Sequence, residues 1–213
     1  MRLYLVRHAQ TEWNAMERAQ GHTDVELDAT GKEQAEALGA AFRNIPVGHI
    51  WSSDLVRSAE CARAVARETG ARLTLDPKLR ERGMGEWEGL FYPEFNAKFR
   101  GIAGNDDPHL LHARPPGGES LADVWKRLEP VVESLEAEEA PTLVVTHGGT
   151  CSLLLSRLLR ANLATARSFR FVNCGITELG RRADGLFNLL RYNDVAHLAG
   201  APYLSGNLDG VSR

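Results

Sequence analysis

Four groups of polar residues stand where the apolar pattern around them gives no reason for their presence: Arg7-His8, Arg57, Glu81 and His147-Gly148-Gly149. An imidazole can serve as nucleophile or base, and a carboxyl can serve as proton donor. A guanidinium matches phosphate oxygens through its planar fork of donors. A histidine followed by two glycines at the start of a helix leaves backbone N–H groups open to an anion at the positive helix end. The set points to an anionic, phosphate-like ligand. It does not resemble a nucleotide loop, because neither a G-K-[ST] run nor a G-x-G-x-x-G opens a helix. Arg7 beside His8 also argues against a metal centre, since a permanent cation competes with a dication.

Each residue has a plainer reading. One histidine at a strand end is an ordinary structural residue. Two, each ending an apolar strand, can converge where open α/β sheets hold their ligands. Arg57 falls in the first turn of a helix, where the macrodipole disfavours a cation. It is either an exposed surface arginine or one balanced by an anion, and the pattern leaves both open. Glu81, Glu86 and Glu88 lie in one run, LRERGMGEWEG, in which most carboxylates are expected to be solvated and one is available as a proton donor.

The elements that must position these groups follow from periodicity. Leu3–Val6 and Thr142–Thr146 are short apolar runs suited to central parallel strands, and each stops at a histidine. Thr30-Gly31-Lys32-Glu33 reads as a capping box ahead of a helix whose apolar stripe is Ala35, Leu38, Phe42 and Ile45. His49–Ser52 reads as a strand, with Ser53 or Asp54 capping a helix that Gly70 closes. Arg72–Leu75 follows as a strand. Residues 83–118, rich in Gly, Pro and aromatics, read as an irregular cover over a site, with His109–His112 as loop. Ser120–Asp123 is a second capping box, opening a long helix that Pro130 kinks. A helix over Gly148–Leu159 comes next, then strands at Phe169–Val172, Ile176–Leu179 and Leu186–Tyr192, the last two joined at Asp184-Gly185. Alternating strands and helices make an α/β layered domain.

The chain has 213 residues, 43% hydrophobic and 25% charged, with a net charge of −3. That balance, with no basic run, speaks against nucleic acid as a partner. No apolar stretch approaches the ~20 residues of a membrane span, and Arg7 and His8 interrupt any signal-peptide core. Cys61, Cys151 and Cys174 are an odd, dispersed set, as in a reduced cytoplasmic protein whose thiols pack in the core. Homodimers are the commonest assembly of soluble chains, and one is an open expectation here.

Taken in order, the motifs resemble the histidine phosphatase superfamily, also called the phosphoglycerate mutase-like family. RHAQTEWN at Arg7–Asn14 matches its N-terminal signature, continued by Gly21, Asp24, Leu27, Gly31 and Gln34-Ala35. WSSDLVRSAECA around Arg57, LRERGMGEWEG around Glu81, PPGGES at Pro115–Ser120, VVTHGG ending at Gly149 and NDVAHL at Asn193–Leu198 follow in the family's order. Ala9 stands where glycine is usual. The resemblance implies a phosphoglycerate mutase-like, three-layer α/β/α fold with a mostly parallel central sheet. It would form one domain over residues 1–198, with a variable lid at about 90–117 and a tail at 199–213. It implies His8 as nucleophile through a phosphohistidine, and Arg7, Arg57 and His147 around the phosphoryl oxygens. Asn14, Gln20, Gly21 and Gly148 would complete phosphate binding, and Glu81 would be the proton donor. No metal or organic cofactor is implied.

Within the family a phosphomonoesterase acting on a small organic phosphate is favoured over a 2,3-bisphosphoglycerate-dependent mutase. The segment 90–114 balances Lys98, Arg100 and Arg114 against Glu94, Asp106 and Asp107, without the arginine-rich insert usual in mutases. Phe91, Tyr92, Phe95 and Phe99 suit either a core stripe or an organic pocket, the core stripe being favoured. A weakly active binding or regulatory module on the same fold, and a metallohydrolase, are the alternatives of other classes.

Overall fold

The computed structural model describes residues 1–103 and 107–199; the tail expected from residue 199 thus lies, but for its first residue, outside the described part. In chain order the elements are β1 (Arg2–Arg7), α1 (Glu12–Ala15), α2 (Ala29–Phe42), β2 (His49–Ser52), α3 (Val56–Thr69), β3 (Arg72–Leu75), α4 (Tyr92–Ala103) and α5 (Asp107–His112). They continue with α6 (Leu121–Arg127), α7 (Glu129–Ala137), β4 (Thr142–Thr146), α8 (Gly148–Leu158), β5 (Ile176–Arg181) and β6 (Phe187–Asp194). One six-stranded sheet has the order β3-β2-β4-β1-β5-β6. Its first four strands run parallel, while β5 and β6 are antiparallel.

Strand alternation sends side chains to two cores, giving the expected α/β/α layering. Leu3, Leu5 and Val144 pack with α6, α7 and α8 on one face, and Tyr4, Val6, Leu143 and Val145 pack with α2 and α3 on the other. Because β1 and β4 are buried on both faces, they read as continuous apolar runs. The three cysteines are buried, as expected. Among the described residues no helix is long and apolar enough to cross a membrane.

Several local expectations are corrected. The cap of α2 is Asp28, whose carboxylate accepts the Gly31 N–H at 2.7 Å and also binds Gln10, so Thr30 lies inside the helix. Neither Ser53 nor Asp54 caps α3: Asp54 is engaged by Arg80, and Asp24 from another loop accepts the Val56 N–H at 2.8 Å. The segment 83–118 contains α4 and α5, so His109–His112 is helical. Phe91, Phe95 and Phe99 recur at the four-residue helical step, and Pro93 sits in the first turn, where a missing N–H costs nothing. The helix expected to kink at Pro130 is divided into α6 and α7 at Leu128. Phe169–Val172 is not a strand, because side chains take its backbone groups: Arg7 Nη1 donates to Phe171 O, Ser152 to Phe169 O, and Val172 N–H to Asn193 Oδ1.

Candidate active site

Register builds the site. Arg7 is the partner of Thr146 and Ser52 the partner of Val145, so β2, β4 and β1 end side by side. The next residues are Ser53, His147 and His8, held by Ser53 N–H to Val145 O (3.1 Å) and His8 N–H to Thr146 O (2.8 Å). The His8 and His147 rings meet edge-on with centroids 5.1 Å apart.

His8 Nδ1 lies 2.6 Å from Ala9 O. A carbonyl only accepts, so Nδ1 carries the proton and Nε2 presents its lone pair. Burial, with the charges of Arg57 and Arg7, holds His8 well below its ordinary 6.5, so the ring is neutral. Asn173 Nδ2 donates to His8 O at 2.8 Å and reaches Asn14 Oδ1 at 3.4 Å, fixing the backbone on which the ring turns. His147 is likewise held low by burial and by Arg57. Its Nε2 is 2.9 Å from Ser53 Oγ, while its buried Nδ1 has no hydrogen-bond partner among the described residues. Ser53 Oγ, which also accepts the Leu55 N–H at 3.3 Å, and Ser58 Oγ at 3.4 Å hold the Nε2 edge of the ring and leave Nδ1 on the other edge.

Arg57 settles its open reading: the side chain is 0% exposed and lines the cavity. Nη1 and Nη2 donate to Thr23 O and Gly21 O at 2.8 Å. Burial lowers the guanidinium to about 10, still a cation at neutral pH. Gly21 takes φ +55°, and a Cβ there would meet Glu88 Oε1 at 2.2 Å. Glu88, grouped above with the solvated carboxylates, instead accepts the N–H groups of His22, Thr23 and Met84 and the Thr23 hydroxyl. It clasps the loop whose carbonyls seat Arg57.

Glu81 faces the start of α8. Its Oε2 accepts the Gly149 N–H at 2.9 Å, and its Oε1 the Arg82 N–H at 2.9 Å. A Cβ on Gly149 would stand 2.7 Å from Oε1, so the second glycine of His-Gly-Gly makes room for this carboxylate. Glu119 braces the same loop, accepting from Arg127, His22 and Gly83 N–H. Burial alone would raise its carboxyl, but the hydrogen bonds from His22 and Arg127 outweigh that and hold it at about 2.

All the sequence-selected residues, namely Arg7, His8, Asn14, Gln20, Gly21, Arg57, Glu81, His147 and Gly148, line one cavity of about 500 Å³. Tyr92, Phe95 and Phe99 line it too, and Phe95 is also part of a small core with Trp87, so both readings hold for these three; Phe91 meets neither, being 47% exposed with the Arg18 guanidinium over its ring. Among the described residues no group of three or more His, Cys, Asp or Glu side chains could hold a metal. Sequence reasoning did not find Ser53, Asn173 or the Glu88 clasp. Ser53 had a signal, ending β2 in step with the two histidines; Asn173 had none.

A parallel sheet ending in paired histidines and arginines defines the class, and the chain belongs to the histidine phosphatase superfamily (branch 1), whose family model matches residues 3–195. Among relatives, a probable phosphoglycerate mutase GpmB of Salmonella choleraesuis (strain SC-B67) is 34% identical over 186 residues, 84% of each chain. The alpha-ribazole phosphatase from Shigella flexneri superposes with a TM-score of 0.82 at 27% identity, covering 91% of this chain and 96% of that one. A mycobacterial glucosyl-3-phosphoglycerate phosphatase complexed with VO3 gives 0.80 at 30% identity, covering 91% and 99%.

Proposed function

We propose that the protein is a phosphomonoesterase that works through a phosphohistidine on His8. The observation that carries this reading is the His8 tautomer: a neutral ring, its Nδ1 proton tied to Ala9 O, offers Nε2 to a cavity lined by Arg7 and Arg57. Nε2 attacks phosphorus in line, the ester P–O bond breaks, and Glu81 gives a proton to the departing oxygen. Water then attacks the phosphohistidine, Glu81 accepts its proton, and the N–P bond breaks to release phosphate. Arg7, Arg57, His147, Asn14 and the Gly148 amide hold the equatorial oxygens, where charge is spread in the transition state. Gln20 and Gly21 border the same oxygens. The oxyanion VO3 in the mycobacterial relative supports an oxyanion site of this kind.

The test is release of p-nitrophenol from p-nitrophenyl phosphate in the presence of EDTA, by the wild-type protein and His8→Ala. Metal-independent release lost in His8→Ala is expected; equal release by both refutes the mechanism, and loss with EDTA alone favours a metallohydrolase. The name of the Salmonella relative favours a second reading, a mutase. With 3-phosphoglycerate and 2,3-bisphosphoglycerate, a hydrolase yields free phosphate and a mutase yields 2-phosphoglycerate.

A further inference from the structure

His22 has its main chain in one half of the chemistry and its side chain in the other. The carbonyls on either side of it, Gly21 O and Thr23 O, seat the Arg57 guanidinium at 2.8 Å, and Glu88 holds its own N–H at 2.8 Å. Its ring turns to the loop of the proton donor, where Nε2 lies 2.8 Å from Glu81 O. A carbonyl only accepts, so Nε2 carries a proton there whether the ring is neutral or charged. The same nitrogen lies 3.5 Å from Glu119 Oε2, and hydrogen bonding to that carboxylate holds His22 above its ordinary 6.5 against the opposing effect of burial. A Cβ built on Gly83 would stand 3.4 Å from His22 Cε1, so the ring packs on the chain just past Glu81.

Other donors also hold the Glu81 loop, and they come from a different quarter. Arg127 donates to Lys78 O at 2.5 Å, Arg80 O at 3.1 Å and Glu81 O at 3.2 Å, while the hydroxyls of Thr146 and Thr150 take Leu79 O and Arg80 O. Those donors belong to α6, β4 and α8. They tie the loop to the scaffold, whereas His22 ties it to the segment that seats Arg57. A proton donor must come within ~2.6–3.2 Å of the oxygen it protonates, and the phosphoryl group that carries this oxygen is itself placed by Arg57. An error in the spacing between the Arg57 seat and Glu81 is therefore an error in proton transfer.

We propose that His22 is a positioning residue, which sets the Glu81 proton donor against the phosphoryl seat by joining the segment that holds Arg57 to the Glu81 main chain. It lies outside the cavity lining and acts through Glu81. The inference rests on the reading of Glu81 as the acid for the oxygen that leaves phosphorus. Without the His22 donor, Glu81 O keeps only the Arg127 contact at 3.2 Å among the described residues, so the loop stays folded while the reach of the acid loosens. Esters whose leaving oxygen needs a proton then suffer most.

The experiment measures kcat/KM, which reports the steps up to P–O cleavage, over a series from p-nitrophenyl phosphate to alkyl phosphates. The proteins are wild type, His22→Ala, His22→Gln, Glu81→Gln and the His22→Ala, Glu81→Gln double variant. His22→Ala should lose about tenfold on alkyl esters, the worth of one well-placed hydrogen bond. On p-nitrophenyl phosphate, whose leaving group needs little protonation, it should lose about twofold or less, which also shows that the site is still assembled. His22→Gln, whose amide can donate to Glu81 O, should recover most of the loss. In the Glu81→Gln background His22→Ala should cost nothing further, because residues that act as one unit are not additive. Equal losses on both kinds of ester, no recovery with glutamine, or full additivity overturns the positioning role. Glu81→Gln losing equally on all esters refutes the acid itself, whereas selective loss in Glu81→Gln with none in His22→Ala refutes His22 alone.

Discussion

Arg7 pairs in register with Thr146, and this brings the His8 and His147 rings to 5.1 Å across the ends of β1 and β4. A one-residue slip would turn one ring to the other face of the sheet, so the apolar strands that fix register also fix the chemistry.

Both rings are held neutral by burial beside Arg57, and that has a consequence for stability. Below their ordinary 6.5 the unfolded chain protonates these histidines and the folded chain does not. The unfolded state then binds more protons, so this contribution is present in full above 6.5 and is lost progressively as pH falls below it. Urea midpoints measured from about pH 8 to about pH 5 should fall more steeply for wild type than for a His8→Gln, His147→Gln double variant. Identical curves would contradict the buried neutral pair.

Ser53→Ala removes the hydroxyl that faces His147 Nε2 at 2.9 Å. A buried neutral hydrogen bond is worth ~1 kcal/mol, so kcat should drop about fivefold with KM little changed. Ser53→Thr, which keeps the hydroxyl, should recover most of the loss. A change in KM alone would mean that Ser53 does not position the His147 ring for the chemical step.

Glu81→Gln should slow hydrolysis of alkyl phosphates far more than of p-nitrophenyl phosphate, whose leaving group needs little protonation. Rates over a series of leaving groups give the comparison. Equal losses would take Glu81 out of the acid role.

Glu88→Gln should cost ~2 kcal/mol, since a carboxylate accepting from His22, Thr23 and Met84 becomes a neutral amide. That corresponds to about 4–8 °C in Tm for a chain of this length. Activity should fall as well, because the clasped loop seats Arg57 through Gly21 O and Thr23 O. Differential scanning calorimetry and a rate assay test both; a stable, fully active variant would show that the clasp positions nothing.

The residues lining the cavity were legible in the sequence wherever they ended an apolar run or opened a helix, as His8 and His147-Gly148-Gly149 do. The covering segment was not, because Gly and Pro there suggested irregular chain, while the Phe91, Phe95 and Phe99 spacing builds α4 with Pro93 harmlessly in its first turn. The cap of α3 was hidden because Asp24, distant in sequence, supplies it. Charge counted along one segment likewise missed most of the cavity's arginines, since only Arg100 of α4 lies in it and the others come from β1, α3, the loop at Arg82 and the stretch before β5.

The central claim is the covalent step on His8. Rapid quench after mixing with 32P-labelled substrate, followed by peptide mapping, tests it most directly. The account predicts one acid-labile, base-stable phosphoramidate on His8, absent from His8→Ala and lost at the rate of turnover. Turnover with no labelled His8, or label that survives in His8→Ala, would contradict it.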